Sequence, residues 1–367
     1  MTESTTTVGP PSRGGTGREL AAHDCKSDSK RQHLPARAKA AWLLVAVVVL
    51  VLVLVCTASF AIGARDMSLE TVWQALTQFN PDDGNHAVVH TRIPRTVLGL
   101  VAGAALGLAG AAMQGVSRNP LADPGIMGVN AGAALAVVAG IYLFGISGAS
   151  GYIWFAFVGA AAAAVVVYLI ASMGRDGATP VKLALAGAAL SAGLYSLMNV
   201  ILVSSQDTLD RFRFWQVGGI AGSDWSVVLT GLPFLLLGAL IVLGSGRILN
   251  SLALGDDVAR GLGQNVALAR GFTALGIVLL CGSATALAGP IGFVGLVVPH
   301  AVRFFTGPDY RWILPFSMVL APALLLVSDV IGRVVLLPGE VPAGIMTAIV
   351  GAPVFVWLVR RGKGASL

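Results

Sequence analysis

The sequence predicts an all-α polytopic membrane protein of about ten transmembrane helices, and three observations carry that prediction. The composition is 56% hydrophobic and only 11% charged, with mean hydropathy +0.81, whereas a soluble chain is nearer to a quarter charged. Long runs without a charge recur from residue 40 onward. The Lys and Arg residues collect on alternate connections between those runs.

Residues 1–39 are rich in Ser, Thr, Gly and Pro, with mixed charge and no apolar period, and read as a disordered cytoplasmic tail. The transmembrane domain covers 40–361, and 362–367 form a short cytoplasmic C-terminal tail. Its first run, Ala40–Ile62, is long enough to cross a ~30 Å hydrocarbon core. A cleavable signal has a shorter apolar region and a shorter leader, so this run stays as an anchor. The other uncharged runs are Thr96–Ser117, Gly125–Gly174, Leu183–Gln206, Trp225–Gly246, Gly271–Val302, Trp312–Ser328 and Val341–Val359. As one helix, Gly125–Gly174 would rise ~75 Å, so it folds back, most simply at Gly145–Gly151. Gly271–Val302 would rise ~48 Å and is turned at Gly289-Pro290.

With the tail inside, the inner connections collect its seven Lys/Arg together with Arg118, Arg175, Lys182, Arg247, Arg260, Arg270, Arg303, Arg311, Arg360, Arg361 and Lys363. The outer side keeps Arg65, Arg92, Arg95, Arg211, Arg213 and Arg333. The positive-inside rule then puts both termini in the cytoplasm. Trp42, Trp154, Trp225, Trp312 and Trp357 fall near span ends, where aromatic anchors belong.

Several chemistries lack their motifs. There is no GxxxxGK[ST] phosphate loop, no HExxH, no GxSxG and no carboxylate pair at catalytic spacing. The five histidines form no ligand cluster, and His300 alone makes no metal site. Cys25, Cys56 and Cys281 are scattered, which fits neither a disulfide framework nor zinc. The expectation is therefore a non-enzyme that binds no metal and no cofactor of its own. A carboxylate at a span centre costs ~2.5–3.5 kcal/mol, a cost ion-coupled carriers accept. The one candidate here is Asp329, near a span end, with Arg333 at i+4 on the same helix face to pair with it.

The stretch 92–130 reads RIPRTVLGLVAGAALGLAGAAMQGVSRNPLADPGIMGVN. Gly99, Gly103 and Gly107 make a smooth stripe for a neighbouring backbone, and the two prolines of NPLADPG force a tight cytoplasmic re-entry. Arg92 and Arg95 are read as lying just outside the span. These residues, with LALGDDVARGLG (252–263), LAGPIGFVGLVVPHAVR (287–303) and GEVPAGIMTAIVGAPVFVWLVRR (339–361), resemble the FecCD-type permease subunits of ABC importers for iron–siderophore, haem and cobalamin. The resemblance covers roughly residues 39–361.

It implies an inverted-repeat, type II ABC importer permease fold in the cytoplasmic membrane of a bacterium. The implied partners are a second permease subunit, identical or similar, two ATP-binding subunits holding ATP-Mg, and an extracytoplasmic substrate-binding protein. Asp256, Asp257, Val258, Ala259, Arg260, Gly261, Leu262 and Gly263 match the loop that docks in the ATPase. From the residues alone, Asp256-Asp257 can cap a short helix that Gly261 and Gly263 end, or the segment lies as an amphipathic stretch at the membrane interface. Arg92, Arg95 and Arg333 match positions that receive acidic residues of the binding protein, although Arg333 is equally able to be taken up by Asp329. The pathway and its gate map to Thr179, Pro180, Ser191, Ser196, Asn199, Met113 and Gln114. The implied cargo is an iron–siderophore complex, with haem or cobalamin as alternatives. A proton- or sodium-driven carrier is the competing class.

Overall fold

The structure, a computed structural model, describes residues 33–173 and 179–362. The predicted tail up to residue 32, Arg175 and the last five residues lie outside it. The chain divides into two units, Met1–Val45 and Ala46–Leu367. Of the first, residues 33–45 are helical and begin α1 (His33–Ala61). The second holds the rest of α1 and all the other helices.

Fourteen α-helices occur among the described residues. After α1 come α2 (Leu69–Thr77), α3 (Gly84–Ser117), α4 (Val129–Phe144), α5 (Ala149–Ser172), α6 (Pro180–Ser204) and α7 (Gln206–Gln216). They are followed by α8 (Trp225–Gly244), α9 (Gly246–Ala253), α10 (Asp256–Gly261), α11 (Val266–Ala288), α12 (Val294–Thr306), α13 (Tyr310–Val335) and α14 (Ala343–Gly362). Each predicted span has its helix. Gly125–Gly174 divides into α4 and α5 at Gly145–Gly148, and Gly271–Val302 divides into α11 and α12 after Ala288. Among the described residues, six helices are long and apolar enough to cross a membrane, and four more are shorter apolar helices.

Burial sorts the long helices into two sets. The apolar windows of α3, α11 and α13 are 78%, 72% and 67% buried, while those of α5, α6 and α8 are 39%, 22% and 39% buried. The first set is the core and the second its periphery. Small residues explain the core: a Cβ on Gly103 would stand 2.6 Å from the Pro322 Cα, so α3 and α13 touch backbone to backbone. On the same helix Gly110 abuts the Gly295 carbonyl of α12. The Gly99–Gly107 stripe thus has the neighbour its spacing calls for, and that neighbour is α13.

α3 is longer than its uncharged run. It starts at Gly84, holds Pro94 inside, and brings Arg92 and Arg95 into the helix. The helix runs on past both arginines, and each finds partners within the chain.

Candidate functional site

Two charged clusters lie at opposite ends of α3. At one end Asp329 of α13 is 1% exposed and forms an ion pair with Arg333, one turn along the same helix. Arg95 of α3 approaches it side-on, Nε donating at 3.1 Å and a terminal nitrogen at 2.8 Å. The other terminal nitrogen of Arg95 pairs with Glu340 at 2.8 Å. Two guanidinium groups therefore face two carboxylates. In a low-dielectric interior, this balance is what makes such burial tolerable.

Arg92 and Arg333 also hold the end of α1. Arg92 donates to the carbonyls of Phe60 (2.6 Å) and Arg65 (2.7 Å). Arg333 donates to the Ser59 carbonyl at 2.7 Å, and the Ser59 hydroxyl meets that of Thr96 at 2.8 Å. The last carbonyls of a helix lack intrahelical partners and carry partial negative charge, so guanidinium groups are apt there. Arg92 and Arg333 are buried within this chain, with the donors of Arg92 turned to the end of α1 and those of Arg333 to Asp329 and the end of α1. Arg95 keeps a partly open edge through half-exposed Glu340. Cavities of about 300 and 520 Å³ meet at this pair, with Arg95, Glu340, Gly222 and Ser223 lining both. Arg211, from α7, lines the first.

At the opposite end α10 is a helix of six residues. Its start is not capped by Asp256 or Asp257. The N-cap is Gly255, at φ +109°, where no side chain would be comfortable. Asp256 instead turns inward. Its carboxylate takes Arg270 of α11 in a two-pronged contact at 2.8 and 3.0 Å, and Arg118, the left-handed C-cap of α3, at 3.0 Å. Ala259 is fully buried against Leu252 and Val266. The helix ends as predicted at Gly263: Gly263 N–H bonds the Arg260 carbonyl and Gln264 N–H the Ala259 carbonyl, the two bonds of a Schellman stop. Asp257, Val258, Arg260 and Leu262 are left on the exposed side. Nearby, Asp309 caps α13 and binds Arg311 and Asn250, and these contacts hold its carboxyl well below the usual carboxylate range.

The candidate pathway residues do not share one surface. Met113 and Gln114 are buried in α3, and the Gln114 amide donates to the Leu296 carbonyl of α12 at 3.2 Å. Ser196 and Asn199 are exposed on α6, and Ser191 is half-buried. Thr179 and Pro180 start α6, with Thr179 as N-cap and Pro180 in the first turn, a common way to begin a helix. His300 stacks edge-on against Phe355. No group of three or more His, Cys, Asp or Glu side chains converges among the described residues.

Apolar helices around a buried ionic lock, with a small charged helix at the far end, define a polytopic helical membrane protein. The comparisons give it a family. The FecCD transport family model matches residues 50–361. The probable siderophore transport system permease protein YfiZ of Bacillus subtilis (strain 168) is 42% identical, over 89% of this chain and 98% of its own length. The ferric enterobactin transport system permease protein FepD of Escherichia coli (strain K12) is 46% identical over 83% of this chain and 90% of its own. A solved inward-facing ABC transporter assigned to the metal-chelate type superposes with a TM-score of 0.74 at 30% identity, over 85% of this chain and 97% of that one. The chain belongs to the FecCD transport family and is a transport component of the membrane.

Proposed function

We propose that the chain is the permease subunit of an ATP-driven importer for ferric siderophores, with the Asp256 end and both termini in the cytoplasm. One observation carries the reading: α10 fixes Asp256 and Ala259 inward and presents Asp257, Val258, Arg260 and Leu262 outward. A short helix held by salt bridges to two spanning helices, with a small apolar and charged face free, suits docking in a separate ATPase that binds ATP-Mg. Motion of that ATPase would reach α3 and α11 through Asp256.

The second permease subunit would meet α6, whose window is the least buried of the six. Its exposed Ser196 and Asn199 are poor company for lipid and suit a lightly polar pathway with Ser191 and the Thr179-Pro180 start as its inner limit. The binding protein would dock at the other end. There Arg95 remains a docking group, and α7 adds the exposed ion pairs Arg211–Asp207 and Arg213–Asp210. Arg92 and Arg333 would support that surface from beneath. Such charge pairs set orientation and on-rate more than affinity.

The cargo rests on what the two named relatives transport. Growth of a strain lacking this gene on defined iron sources tests it. Complementation is expected to restore growth on a ferric siderophore. Restoration confined to haem iron, or a need for cobalamin in place of iron, would overturn the cargo.

A further inference from the structure

α2 carries an apolar surface that its own fold leaves uncovered. The helix is anchored on one edge: Val72 and Ala75 are buried with Met67 and Val89, and Phe60, Ala61 and Val88 pack against them. At about 100° per residue, Leu76, Leu69 and Trp73 continue this edge round the helix as one apolar sector. They are 46%, 64% and 69% exposed. The remaining positions, Glu70, Thr71, Gln74, Thr77 and Gln78, are polar and form the opposite sector. Phe79, just past the helix, extends the apolar side and stacks on His90 at 4.0 Å.

The level of α2 along the bundle is fixed. Met67 N–H donates to the carbonyl of Ala61, the last residue of α1, at 2.8 Å. Ser68 then caps α2 at once, accepting from Thr71 N–H. Val72 and Ala75 lie against Phe60 and Ala61 themselves. α2 is thus pinned beside the end of α1, an apolar helix. Arg65 is exposed in the turn between them.

We infer that α2 is an interfacial helix, with Leu69, Trp73 and Leu76 seated in the lipid leaflet at the arginine end of the bundle. Several features select lipid as the occupant. The polar and apolar sectors divide along the helix as they do in helices lying at a bilayer surface. A tryptophan, Trp73, stands at the edge of the apolar sector beside the polar positions, where the amphipathic rings of interfacial aromatic belts sit. The adjoining helix ends there, and a guanidinium is available to headgroup phosphate. α2 would then hold the α1 end, and with it the carbonyls that Arg92 and Arg333 bind, at a set depth. The inference needs only that the chain spans a membrane, and it stands apart from the choice of cargo.

The test uses the full chain in nanodiscs of phosphatidylethanolamine and phosphatidylglycerol, with Cys25, Cys56 and Cys281 replaced by serine or alanine. Spin labels are attached in turn to Leu69→Cys, Trp73→Cys, Leu76→Cys, Glu70→Cys and Gln74→Cys. The first three are expected to collide with oxygen several-fold more than with a water-soluble nickel chelate, and the last two to show the reverse. Equal nickel access at all five would overturn the inference and leave the sector free for a soluble protein. Shielding of the first three from both oxygen and nickel would also overturn it, since another protein surface would then cover them. Hydroxyl-radical footprinting of the unmodified chain in the same nanodiscs gives a check free of substitutions. Trp73 is expected to be protected, and heavy labelling there would contradict the lipid contact.

Discussion

The two charged ends of the bundle use the same residue types and reach different states. At the arginine end Asp329 is 1% exposed and held by Arg95 and Arg333, with Glu340 balancing the second arginine. At the other end the Asp256 side chain is 21% exposed and faces Arg118 and Arg270. The centre of the first cluster, Asp329 with Arg333, is dry, so removing either partner leaves a buried charge. In the second, Asp256 and Arg118 are partly exposed while Arg270 is buried, so the Asp256–Arg118 contact is the one that can exchange with water. A lock and a joint are built from one chemistry, and burial separates them.

That contrast is easiest to break at the lock. Asp329→Ala is expected to destabilise the protein by about 3–5 kcal/mol, the range for removing one partner of a buried pair, measured by thermal unfolding in detergent. If Asp256→Ala costs as much, the two ends are not different in kind. Next comes the helix that joins them. Gly110→Ala would drive a methyl group into the Gly295 carbonyl, and an overpacked core site of this sort costs about 1–3 kcal/mol.

The joint should respond differently. Asp256→Asn is expected to lower stability by less than Asp329→Ala does, because Asp256 and Arg118 are partly exposed, while ATP-driven uptake falls several-fold. A loss of uptake matched by an equal loss of folded protein would reduce Asp256 to a structural group. Smaller again, Arg260→Ala removes an exposed pair with Asp257 and should change stability by no more than about 0.5 kcal/mol, while weakening co-purification of the ATPase. Acid titration offers the mildest probe. The folded-state pKa of Asp309 lies below its ordinary value of about 3.9. Its contribution is therefore present above that value and is lost as pH falls through the folded pKa. The stability gap between the wild type and Asp309→Asn should be constant near neutral pH and shrink as the pH falls below about 4.

The spans were legible because a charge-free run of membrane length has few alternatives, and Gly145 to Gly148 and Gly289 are where such runs must turn. Gly263 was legible as a helix stop for a similar local reason. α2 and α7 were missed as helices: nine and eleven residues give too few turns for an apolar period to stand out. Each nevertheless carries a local start signal, since Ser68 accepts from Thr71 N–H and Ser205 from Thr208 N–H. The partners of Arg92 and Arg95 were beyond reach. Asp329 lies 234 residues from Arg95, and only the packing of α13 on the glycine stripe of α3 brings them together. Asp256 was misread for the converse reason. Its position before a short helix suggests a cap, but Gly255 takes that role and frees the carboxylate for two arginines.

As proposed, this chain is a conduit driven by a separate ATPase through the Asp256 end. Uptake of a ferric siderophore into proteoliposomes, with and without the ATPase partner and Mg-ATP, tests it directly. The account predicts uptake only when both are present, unaffected by collapse of the ion gradient. Uptake that persists without ATP hydrolysis and stops when the gradient is dissipated would contradict it.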